Sequence, residues 1–215
     1  MKSIKFASLL IIVSLVFTSC KDNKKAEETT TTTTTTTPEA VENTVSYVVK
    51  PEATNVKWTA YKTTDKVPVG GEFATLNFED KAGATPEEAL NNLEFSIPVS
   101  SLFTKDETRD EKLKTSFFGA MLNTELLKGK IKYANNAYTA EITMNGVTKD
   151  LPLEVNITDQ RRVSMKGTMD LKDWDALGAL ESLNKVCFDL HKGADGVSKT
   201  WEDVAIEVST YLRDK

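Results

Sequence analysis

Apolar and polar side chains alternate with a period of two through most of this chain from Thr44 onward, which commits it to half-buried strands. Val56, Trp58 and Ala60 alternate with Lys57, Thr59 and Tyr61. Leu93, Phe95, Ile97 and Val99 alternate with Glu94 and Ser96, until Pro98 ends that strand or confines it to an edge. Tyr138, Ala140, Ile142 and Met144 run straight into Asn145-Gly146, the strongest short hairpin signal because both residues tolerate positive φ. The return strand carries Leu151, Leu153, Val155 and Ile157 on one face. Further strands are expected over 69–78, 163–169 and 204–212, the last with Val204, Ile206 and Val208 inward. About eight strands of this kind predict an all-β fold, either an antiparallel barrel or a sandwich, because closing a sheet removes its sticky edges.

Helical signals interrupt the strands in three places. Thr85-Pro86-Glu87-Glu88 places a capping threonine before proline at the first helical position. Thr108-Arg109-Asp110-Glu111 repeats the capping-box spacing ahead of Leu113, Phe117 and Phe118. The third signal begins near Asp173, with Trp174, Leu177, Leu180 and Leu183 at nearly helical spacing. Helices lying across a barrel end would cover its interior.

The first 45 residues carry no core. Lys2 and Lys5 precede an apolar stretch from Phe6 to Phe17, too short for a lasting membrane span, which needs about 20 residues. Residues 1–19 therefore read as an export signal. Phe17-Thr18-Ser19-Cys20 resembles a lipobox, so Cys20 is the expected acylated first residue of the mature chain. Removing Lys2 and Lys5 with the signal moves the formal charge from -5 to -7. Residues 20–44 contain a charged run, a run of nine threonines and a proline, and are expected to form a flexible tether. One acyl chain holds only marginally, whereas two or three hold firmly, so the expected location is the bacterial cell envelope, anchored on a membrane. About 170 residues remain, 45–215, which suits one domain that needs neither disulfides nor metals to fold.

Several function classes fall away. A nucleic-acid partner wants a basic stripe, and Arg161-Arg162 is a lone pair in an expected turn. Cys187 has no partner if Cys20 is acylated, and it reads as a buried small hydrophobe. His191 is the single histidine, with Asp189 two residues before it and no metal-ligand spacing around it. No nucleophile elbow, phosphate loop or spaced acid pair stands out, so neither an enzyme, a metal site nor a cofactor is expected.

Four segments resemble the YceI-like family of polyisoprenoid-binding, lipocalin-like envelope proteins. They are Val56-Lys57-Trp58 with Val69-Gly70-Gly71-Glu72-Phe73; Ile97 through Thr104; Thr108-Arg109-Asp110 with Leu113 and Phe117-Phe118; and Met144 through Lys149. The resemblance implies an antiparallel eight-stranded barrel with a long apolar cavity for a polyisoprenoid, such as a quinone tail or a prenyl phosphate. The sequence departs from the family at Ala53-Thr54, where a histidine and serine are usual. Met121 to Lys130 stands in place of its tyrosine-proline turn, and residues 172–200 are longer and more helical.

The residues expected to line such a cavity are Phe73, Phe95, Ile97, Leu113, Phe117 and Phe118, together with Ile142, Met144, Leu153, Val155, Met165 and Met169. Methionine suits an irregular apolar guest because it adapts its shape. Arg109 reads either as a helix-start residue or as a contact for a ligand's polar head at the mouth. The leading expectation is a non-enzymatic lipoprotein that binds, sequesters or carries an apolar isoprenoid. The alternative is a surface interaction or structural lipoprotein with a solid barrel core. A third reading, metal-assisted hydrolysis at His191, is not expected. A homodimer is compatible with the sequence but not specified by it.

Overall fold

The computed structural model describes residues 46–215, so the expected signal, Cys20 and the whole of the expected tether lie outside the described residues. The chain enters through β1 (Tyr47–Val48) and runs along β2 (Thr54–Lys62) and β3 (Val67–Phe73). After β4 (Asn77–Phe78), β5 (Ala82–Gly83) and α1 (Pro86–Leu90) come β6 (Glu94–Pro98), β7 (Leu102–Phe103) and α2 (Glu107–Lys112). A π-helical turn over Leu113–Phe117 follows, and then β8 (Leu126–Ala134), β9 (Ala137–Met144), β10 (Val147–Thr158) and β11 (Arg162–Asp170). The chain ends through α3 (Leu177–Val186), β12 (Asp203–Tyr211) and β13 (Arg213–Asp214).

Ten strands form one antiparallel sheet in the order β4-β6-β8-β9-β10-β11-β12-β2-β3-β7. The two outermost strands explain why ten are seen where eight were expected. β3 and β4 are one stretch of chain broken by a kink, as are β6 and β7. Glu72 and Phe73 pair with Phe103 and Leu102, while Asn77 and Phe78 pair with Ser96 and Phe95. The two broken stretches thus pair with each other, and the sheet curls round to meet itself as a barrel of eight segments. At that size the interior is wide enough for side chains alone or for one small ligand.

Period-two expectations match the strands closely. Asn145 and Gly146 turn the β9–β10 hairpin with φ of 53° and 72°. Asn145 also accepts from Leu122 N (2.9 Å) and donates to the carbonyls of Trp174 (3.1 Å) and Asp175 (3.0 Å), so the hairpin tip pins two loops. β8 is a correction: Leu126 to Lys130, expected within a turn region, begins a nine-residue strand. Leu127, Gly129, Ile131 and Tyr133 alternate with three lysines there, a half-buried pattern like the others.

Two helix starts shift. The cap of α2 is Asp106, which accepts from Arg109 N at 3.0 Å, instead of Thr108. A carboxylate two residues earlier satisfies the first-turn donor, and helix-dipole attraction favours it there. α3 begins at Leu177 because Asp175 takes a left-handed conformation (φ 51°) and ends the short 3-10 turn Leu171–Trp174. Thr85 caps α1 as expected, accepting from Glu88 N at 3.2 Å.

The helices sit at both ends of the barrel. α1 and the small sheet β13-β1-β5 close the end where β2 begins, with Val48, Ala89, Leu90 and Leu212 almost fully buried. α2, the π turn and α3 cover the other end, where β2 finishes. Among the described residues the core clusters run from Tyr47 to Leu212.

Candidate apolar cavity and its mouth

Inward side chains of the strands enclose an open space of about 200 Å³. Thr54, Val56, Trp58 and Ala60 line it in succession along β2, as do Val204, Ile206, Val208 and Thr210 along β12. Six residues of strand rise cover about 20 Å, so the space is elongated from one barrel end toward the other. Leu90, Leu93 and Val49 lie at its closed end, and Leu180, Leu183 and Trp201 at the other.

Most of the few polar groups in its wall have hydrogen-bond partners. Thr54 and Thr210 share a hydroxyl hydrogen bond of 2.7 Å. Thr200 donates its hydroxyl to Asn184 Oδ1 at 2.8 Å, and Trp201 Nε1 donates to Thr63 O at 2.8 Å. Trp58 Nε1 is the exception, buried without an acceptor. The wall is otherwise greasy.

Eleven residues expected in the lining are there: Phe73, Phe95, Ile97, Leu113, Phe117, Phe118, Ile142, Met144, Leu153, Met165 and Met169. Val155 is not. It packs against the main core cluster, while its cross-strand partner Met165 on β11 lines the cavity. The expected set lacked Val56, Trp58, Ala60 and the β12 residues, although the alternation marked them as inward. It also lacked Leu180 and Leu183, whose helical spacing could not say which barrel end they would cover.

A second space of about 190 Å³ adjoins the first at the α2–α3 end, and Trp58, Ala60, Leu113, Leu183 and Thr200 line both. Arg109 lies here and not in the apolar cavity, beside Lys62, Lys112, Asp106, Cys187 and His191. Arg109 pairs with Asp106 at 3.4 Å. Lys62 donates to Leu190 O at 3.1 Å. His191 Nδ1 lies 2.7 Å from Thr200 Oγ1. Burial, reinforced by the charges of Lys62 and Lys112, pushes the His191 pKa down. Burial pushes the Cys187 thiol up, with the same two lysines opposing it. Cys187 is buried as expected. Among the described residues no three potential ligands cluster where they could hold a metal ion.

Asp110 has a different place from the one its helix-start position suggested. It is buried, and its Oδ1 accepts from both Thr104 N (2.9 Å) and Thr104 Oγ1 (2.6 Å). It thereby ties α2 back to β7.

No curated protein sequence matches the chain. A solved polyisoprenoid binding domain from Saccharophagus degradans, implicated in plant cell wall breakdown, is similar with a TM-score of 0.60 and 12% identity, covering 80% of this chain and 99% of that one. BcnA from Burkholderia cenocepacia is similar at 14% identity and a TM-score of 0.47, over 76% of this chain and 98% of that one. A Campylobacter jejuni YCEI protein reaches 20% identity and a TM-score of 0.47, over 68% of this chain and 85% of that one. The first of these carries the likeness in fold. The model of the YceI-like domain matches residues 47–212, nearly the whole described barrel, and the chain belongs to the YceI-like family.

Proposed function

We propose that this protein binds an isoprenoid lipid, of quinone or polyprenyl type, in the barrel cavity and sequesters or carries it without catalysis. The observation that carries this reading is an elongated, almost wholly apolar space, blind at one end, in a barrel whose structural neighbour is a polyisoprenoid binding domain. Each five-carbon unit buried contributes on the order of 3 to 4 kcal/mol gross, before ordering costs. A cavity of about 150 Å³ admits benzene, so the present space takes roughly eight carbons before side chains must move. A longer tail would displace Met144, Met165 and Met169, the most adaptable lining residues. The alternative of a solid-cored surface module fits less well with so much open interior.

In this reading the protein acts as an envelope lipoprotein, acylated on Cys20 and held near its membrane by residues 20–44. Organic extraction of the purified protein followed by mass spectrometry tests carriage. A co-purifying isoprenoid, or uptake of added quinone, is expected; repeated absence of both sinks the idea. Labelling with radioactive palmitate tests the anchor, and Cys20→Ala should abolish incorporation.

A further inference from the structure

We propose that the mouth end of the barrel docks on the surface of a phospholipid bilayer, through an exposed apolar knuckle that follows α3. This rests on the reading of the barrel as a lipid carrier, since a bilayer is where such a guest resides, and it names the surface that the mouth faces.

Among the described residues nine large apolar side chains are exposed, and four of them, Val186, Phe188, Leu190 and Val197, fall in one short stretch that begins with the last residue of α3. They are 49% to 58% exposed, while Cys187 between them is buried and holds the stretch to the body. Hydrogen bonds from Gly193 N to Val197 O (2.9 Å) and from Lys199 N to His191 O (3.2 Å) fold the stretch back on itself and gather the four into one patch. Lys62 donates to Leu190 O at 3.1 Å and pairs across the β2–β3 hairpin with Val67, a fifth exposed apolar residue. Apolar groups gathered in water in this way mark an interaction surface.

Two features favour lipid over a protein partner. Leu190 also lines the mouth space, which shares Ala60, Leu113 and Leu183 with the cavity, so the patch is the outer end of an apolar path to the interior. The charges around the patch are the second. Lys185, Lys192 and Lys199 stand against Asp189 and Asp195 there, a local excess of cation in a chain whose formal charge is -5. Lys192 Nζ lies 5.0 Å from the centroid of the Phe188 ring and 3.0 Å from Asp189, and Asp195 accepts from Thr64 Oγ1 (2.7 Å) and Val197 N (3.0 Å). Lysines rimming Phe and Leu suit the boundary between headgroups and hydrocarbon, where stems lie along apolar surface and ammonium groups reach anionic heads. The chain enters the barrel at the opposite, closed end. From Cys20 to Tyr47 it can span about 90 Å drawn out, about three times the length of the nine-residue β2, so an anchor at Cys20 still lets the mouth meet the bilayer.

The full-length protein, reconstituted with vesicles of equal parts phosphatidylcholine and phosphatidylglycerol, tests the docking. Phe188→Trp and Phe103→Trp each add one indole, the first in the patch and the second on the outer barrel wall. The unmodified protein supplies the background of Trp58, Trp174 and Trp201. Brominated phosphatidylcholine should quench the emission added by Phe188→Trp at least about threefold more than that added by Phe103→Trp, since an interfacial face sinks roughly 5 to 10 Å into the headgroup boundary. Adding Leu190→Glu and Val197→Glu to Phe188→Trp should bring the two to one level. Each tryptophan variant replaces one exposed aromatic ring by another, so their comparison stands if the glutamate variant folds poorly. Equal quenching overturns the docking, and isoprenoid recovered by extraction of the same preparation then leaves carriage standing. Light scattering that shows a dimer broken by Leu190→Glu overturns the docking and assigns the patch to a second copy of this chain. Strong quenching with Phe188→Trp in a protein that yields no isoprenoid and takes up no quinone upholds the docking and overturns carriage.

Discussion

The indole of Trp58 lies against Gly71 on the neighbouring strand so closely that a Cβ at Gly71 would stand 2.7 Å from Trp58 Cε2. The same added carbon would lie 2.9 Å from Thr104 Cγ2. Glycine is required here for space, since its backbone lies within an ordinary strand. Gly71→Ala should therefore force the indole out of place and cost about 1 to 3 kcal/mol, the usual range for overpacking. Urea denaturation checks this, and an unchanged midpoint would contradict the packing described.

Asp110 and Arg109 are adjacent in sequence but should differ sharply on truncation. Asp110→Ala leaves the Thr104 N–H and hydroxyl buried without their acceptor, a loss of about 1 to 3 kcal/mol per unsatisfied group. Arg109→Ala removes a half-exposed ion pair worth about 1 kcal/mol or less. Thermal melts of the two variants side by side measure the contrast.

Ala60 lines both spaces, at the throat between mouth and cavity. Ala60→Phe should plug that throat. Lipid recovered by extraction should fall at least about tenfold, as expected when an apolar guest loses its route and part of its buried surface. Circular dichroism should remain that of the barrel. Full recovery of lipid from the variant would show that guests enter elsewhere.

The neutral state of His191 makes stability depend on pH. Its folded pKa is lowered, chiefly by burial and then by Lys62 and Lys112, so between the folded and unfolded values the unfolded chain binds more protons. The histidine's contribution is therefore present above its unfolded pKa of about 6.5 and is lost as pH falls through the folded value. The melting temperature should drop on going from neutral pH to below that range, and His191→Asn should flatten the drop. An equally steep drop in the variant would assign it to other groups.

Much of this was legible from residue order alone. Alternation placed most of the strands and told inward from outward, because a strand's side chains switch faces at every residue. Asn145-Gly146 marked its hairpin through backbone freedom, and Thr85 its helix through capping. The lysine-rich β8 escaped notice, since lysines at every second position read as loop until the intervening residues are seen to share a face. Val155 sits on an inward parity position yet does not reach the cavity. Parity fixes a face, whereas the depth at which a side chain meets open space depends on its neighbours across the sheet.

By itself the sequence determined most of the local and periodic features: where most strands run, where the β9–β10 hairpin turns, and that one face of each of those strands is apolar. The tertiary structure alone decided that β3–β4 and β6–β7 pair to close the barrel, that the interior keeps an elongated space, and that Lys62, Arg109 and Lys112 meet beside it. These depend on residues far apart in the chain. Their distances are set by the curl of the whole sheet and the docking of its end helices, which no local pattern encodes.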